Sequence, residues 1–86
     1  MSDHFEGLIV KYNLILPASW DRLNYKERCD WIVGKVQGIL TDGLHDFQDR
    51  NGLPRQCAFE QLHEDGLTDH QRRWLTRFVA LWEEAR

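Results

Sequence analysis

The residues best suited to chemistry lie mid-chain, where Asp42, His45, Asp46 and Asp49 follow one another at steps of three, one and three. On a helix those steps put all four on one side, within reach of a shared cation or proton. As a metal site the set is thin. Hard cations take more oxygens, held by a loop, and zinc takes closed nitrogen or sulfur ligation. An exposed acidic face is the expected role. Acids near a helix C-terminus oppose the dipole, which points either to a break at Gly43 or to a basic partner. A second set, His63, Glu64, Asp65, Asp69 and His70, surrounds Gly66. Two histidines meeting across that turn would make a pH-responsive corner or an adventitious metal site. Neither set has CxxC or HExxH spacing, and solvated loop polarity accounts for the second. No metal and no cofactor are expected.

Nucleophiles are scarce. Ser2 and Ser19 are the only serines, and neither stands in a GxSxG context. Cys29 and Cys57 fall on apolar stripes of separate predicted helices, where reduced core thiols are the expectation. No glycine-rich phosphate loop follows a strand, and a small bundle has little room for a water-excluding cleft. The expectation is a protein that is not an enzyme.

Two binding chemistries remain. Residues 54–79 read as helix, glycine turn, helix, with Arg72, Arg73 and Arg77 on the second helix, as in a helix-turn-helix reader of nucleic acid. Asp65 and Arg72 fill positions that are usually apolar in that motif, and Asp65 and Asp69 crowd the end that would approach phosphate. The other chemistry is aromatic. Four tryptophans and four phenylalanines are a heavy load for 86 residues. Rings bordered by arginine are the usual composition of protein-binding hot spots. Trp82 with Phe78 and Arg77, Phe59 with Arg55, and Trp20 near a chain turn are the candidate partner-binding residues.

The elements that must position these groups are helical. Residues 24–51 hold the longest helical pattern, with Cys29, Ile32, Val33, Val36, Ile39, Leu40, Leu44 and Phe47 at alternating steps of three and four. Asn24 with Glu27 forms a capping box, and Asn51-Gly52 supplies the left-handed stop. Gly34 and Gly38, four apart, share one face. They suit a packing notch for Trp20 or the N-terminal helix, or a homodimer contact. Residues 3–14 carry Phe5, Leu8, Ile9 and Tyr12 at helical steps, with Leu16 beyond, and Ser2, Asp3 or Glu6 as start signals. The run GLIVKYNLILP is also rich in β-formers, so a strand shared between subunits is the alternative. Pro17 ends that element, and residues 18–23 make one helical turn. A third helix is expected from Pro54 to Asp65, with Cys57, Ala58, Gln61 and Leu62 inward. Thr68 with Gln71 opens a fourth, bearing Trp74, Leu75, Phe78, Val79 and Trp82.

The totals fit one small all-α domain, a four-helix bundle-like fold with a long central helix. The apolar fraction is 42% and the net charge −3, with acids and bases interleaved. That balance lacks the basic excess of a dedicated nucleic-acid binder. The chain shows neither a leader pattern nor an apolar run near the ~20 residues of a membrane span, so a soluble cytoplasmic protein is expected. The functional expectation is a module that docks on a larger protein as inhibitor or adaptor, with a homodimer as a further possibility. Small motif-free domains of this type include accessory factors of phages and mobile elements that block a host enzyme. A nucleic-acid-binding regulator using Arg72, Arg73 and Arg77 is the alternative.

Overall fold

The computed structural model describes residues 3–86. It contains four α-helices, α1 (Asp3–Lys11), α2 (Tyr25–Arg50), α3 (Ala58–Gln61) and α4 (Asp69–Glu84), plus a single 3₁₀ turn at Trp20–Arg22. Among the described residues there is no strand, so the N-terminal segment is helical. This is a small all-α, bundle-like fold with one long helix. Among the described residues no helix is long and apolar enough to cross a membrane. The chain forms two compact units whose boundary falls inside α2, one reaching to Gly38 and including Ala85, the other running from Ile39 to Glu84 and including Arg86.

In the first unit, α1 stops three residues short of the expected Leu14. Asn13 adopts φ 50°, Leu14 N–H donates to Ile9 O at 3.0 Å and Asn13 N–H to Val10 O at 3.2 Å. This is a left-handed Schellman stop with asparagine in glycine's usual place. Its expected start signals, Ser2 and the Asp3 side chain, lie outside the described residues. Leu8 is buried and Phe5, Ile9 and Tyr12 are half-buried, as the period requires, whereas Leu16 is 39% exposed. The 3₁₀ turn replaces the helical turn expected at 18–23, and Trp20 sets its ring edge-on to Trp31 at 5.6 Å. Arg28 fastens the turn, donating from Nε to Trp20 O at 3.1 Å with its guanidinium 5.1 Å over the Trp20 ring.

The capping box that opens α2 is reciprocal. Glu27 N–H donates to Asn24 Oδ1 at 2.8 Å, and Asn24 N–H to Glu27 Oε1 at 3.0 Å. From there α2 buries Ile32, Val36, Leu40, Leu44, Phe47 and Gln48. It runs unbroken past Gly43 as the single long helix expected, which sets aside the alternative of a break there, because Leu40, Leu44 and Phe47 keep a buried residue on one side through three adjoining turns. Ile39, assigned to the buried stripe, is instead 45% exposed. The packing notch expected at Gly34 and Gly38, for Trp20 or the N-terminal helix, is not formed either. A methyl group placed at either would meet nothing within 4 Å, so neither is a packing notch.

In the second unit, Gly52 (φ 65°) closes α2 with a full Schellman motif, Leu53 N–H to Gln48 O at 2.9 Å and Gly52 N–H to Asp49 O at 3.4 Å. The expected helix over 54–65 shrinks to the four residues of α3. Two buried glutamines explain this. Gln48 Nε2 donates to Gln56 O at 3.0 Å and Gln61 Nε2 to Pro54 O at 3.1 Å, which ties up carbonyls a helix would need. Cys57 therefore enters α3 with an extended backbone, ψ 125°. The Thr68–Gln71 capping box forms as expected, at 2.9 and 3.1 Å, and starts α4.

Candidate docking surface

The second unit gathers its aromatic rings into one ladder. Phe47 stacks on Trp74 with ring centroids 4.0 Å apart, Trp74 on Phe78 at 5.9 Å, and Phe78 on Trp82 at 5.8 Å. The last three lie four residues apart on α4, so a single helix face aligns them. Leu75, fully buried on that face, anchors the helix. Phe78 is only 5% exposed, so it is not the protruding ring expected and lines the surface from below. Its place is the floor between two apolar grooves.

The first groove is walled by Ile39, Leu40 and Gly43 from α2 and by Trp74, Arg77 and Leu81 from α4. Glycine at 43 leaves this wall low, since a side chain there would stand in the opening. The second groove lies on the other side of Phe78, between Thr41 and Leu44 of α2, Cys57 to Phe59 of the α3 segment, and Trp82. Phe59 and Trp82 are both half-buried, each with part of its ring open to solvent. Cys57, expected in the core, is exposed at this groove because the extended backbone before α3 turns it outward. Neither cysteine is bonded, and Cys29 is half-buried.

Of the six candidate partner-binding residues, Trp82, Phe78, Arg77 and Phe59 thus meet along these two grooves. Arg55 does not join them. Its guanidinium forks onto Asp49, with Nε to Oδ1 at 3.2 Å and a terminal nitrogen to Oδ2 at 2.7 Å. That hydrogen bond, ahead of the simple charge attraction, holds the Asp49 carboxyl below its ordinary pKa and raises that of Arg55. Trp20 belongs to the first unit, wedged between Trp31 and Arg28.

The arginines proposed for nucleic acid divide. Arg72 donates to Leu62 O and, at 3.0 Å, to Glu64 O. It closes the carbonyl end of α3, which explains a charged residue at an expected apolar position. Arg73 and Arg77 are exposed and make no ion pair among the described residues.

The two polar sets do not converge. Asp46 pairs with Arg50 and Asp49 with Arg55, one turn away or across the loop. Glu64 receives the Gln56 side-chain amide. Among the described residues no group of three His, Cys, Asp or Glu side chains could hold a metal ion. Sequence reasoning missed Gln48, the buried amide that shapes the Cys57 wall. The available signal was its place next to Phe47 on the stripe, one residue beyond where an apolar side chain was sought. Compared with protein-family models, curated proteins and solved structures, the chain matches none.

Proposed function

We propose that this chain is a non-enzymatic module that docks on a larger protein, as inhibitor or adaptor, through the groove between Phe59 and Trp82. The observation that supports this reading is the pairing of two half-open aromatic rings over a buried apolar floor of Leu44, Ala58 and Phe78. Rings so placed bury large area at low entropic cost, because packing beneath them already fixes their rotamers. Deeply buried charge is absent from the groove, so a partner loses little by desolvation on entering it.

The test is capture of a partner from bacterial lysate, with mass-spectrometric identification, by the wild-type chain and by Phe59→Ala and Trp82→Ala. The expected result is loss of the captured protein with both variants while circular dichroism shows full helicity. Replacing Arg72, Arg73 and Arg77 together should matter less. The opposite ranking, joined to binding that falls steeply with added salt, would mark a nucleic-acid ligand and refute protein docking at this groove.

A further inference from the structure

The groove on the Ile39 side of Phe78 carries a different pattern, and it matches the chain's own surface. On α2, Ile39 is 45% exposed, and Asp42 and Asp46 stand exposed one turn apart beside it. On α4, Trp74 and Leu81 wall the same groove, and Arg73 and Arg77 stand exposed one turn apart beside them. Each lip is thus an apolar strip edged by two like charges at a spacing of about 6 Å, acidic on one helix and basic on the other. Phe47 lies level with Trp74, and Leu40 shares the groove with Phe78, so numbers rising along α2 meet numbers falling along α4. Asp42 therefore lies near the level of Arg77, and Asp46 near that of Arg73.

We propose that a second copy of this chain covers this groove, related by a two-fold axis along it. That operation lays α2 of one copy over α4 of the other without exchanging their ends. It brings the second copy's Asp42 opposite Arg77 and its Asp46 opposite Arg73, and repeats both pairs on the other side. The apolar strips meet between the two charged rows. A two-fold axis across the groove would set acid against acid, so charge selects the first arrangement. Competing local partners are weak. Asp46 holds Arg50 only in an exposed pair, and Asp69, one turn before Arg73, makes no ion pair with it. This interface leaves the Phe59–Trp82 groove free and does not depend on what binds there.

Sedimentation equilibrium and native mass spectrometry test the pairing. Wild type should reach a monomer–dimer equilibrium by about 100 μM, within the range of modest interfaces. Arg77→Glu alone and Asp42→Arg alone should each weaken it about tenfold or more, since each doubles a like-charge contact across the axis. Mixing the two variants should restore a dimer, and that dimer should contain one copy of each. These residues are exposed, and unchanged circular dichroism of each variant checks that it folds. A wild-type chain that stays monomeric overturns the proposal. So does a mixture that fails to form the mixed dimer, or an Arg77→Glu variant that dimerises as wild type does. A monomer that binds an acidic helix or a DNA duplex through Arg77 also overturns it, and would assign the groove to that ligand.

Discussion

Removing the Gln48 amide tests the reasoning about α3 most sharply. Gln48 and Gln61 are both fully buried, and Gln48 Nε2 donates to Gln61 Oε1 at 2.9 Å as well as to Gln56 O. Gln61 Nε2 in turn donates to Pro54 O, while Gln48 Oε1 has no partner. Gln48→Met keeps length and shape but removes two donated hydrogen bonds and strands Gln61 Oε1. At about 1 kcal/mol for each net bond and about 2 for the stranded acceptor, less about 1 recovered by removing the unpartnered Gln48 Oε1, the loss is about 3 kcal/mol. Gln61→Met strands one Gln48 N–H and Pro54 O, for a similar cost. The double variant strands neither side chain, so it should lose about 3–4 kcal/mol, well short of the sum of the singles. The coupling is then about 2 kcal/mol. Urea unfolding followed by tryptophan fluorescence measures all four proteins, with the slope m unchanged if compactness is unchanged. Losses that add to within about 0.5 kcal/mol would refute the claim that the two amides act as one unit.

Other expectations are simpler to check. Gly34→Ala and Gly38→Ala should each stabilise by up to about 1 kcal/mol in urea unfolding, because the added methyl meets open space. Gly52→Ala should destabilise, since φ 65° strains any residue with a Cβ. Asp49 has its pKa lowered in the folded chain, so its pair with Arg55 stabilises above the unfolded aspartate value of about 3.9 and fades as pH falls through the lowered folded value. Asp49→Asn should therefore unfold at lower urea than wild type near neutrality and converge with it in acid. Alkylating Cys57 with a bulky maleimide, in a Cys29→Ser background, should abolish partner capture, because the label occupies the Phe59–Trp82 groove.

What the sequence made legible was carried by local chemistry. Asn24 with Glu27, Thr68 with Gln71 and Asn51-Gly52 each encode a helix end within a few residues, and each forms as read. The four-residue ladder on α4 likewise follows from spacing alone. What escaped reading depends on contacts distant in sequence. The shortness of α3 follows from amides at Gln48 and Gln61 claiming the carbonyls of Pro54 and Gln56, and periodicity carries no trace of that. Cys57 and Ile39 fit an apolar pattern by type, yet both face outward because the helix expected around one did not form and the groove beside the other stays open. The early end of α1 rests on Asn13 in the left-handed region, which asparagine tolerates better than most residues but does not require. At the candidate site, Phe59 and Trp82 were found from composition. Their meeting at one groove is a property of tertiary packing.

The most direct test of docking is amide hydrogen exchange on the chain with its captured partner bound. Protection should rise at residues 41–44, 57–59 and 78–82, which line the Phe59–Trp82 groove, and should stay at the free-chain level along α1. Protection confined to α1, or to residues 69–73 at the start of α4, with no change at 57–59, would contradict it.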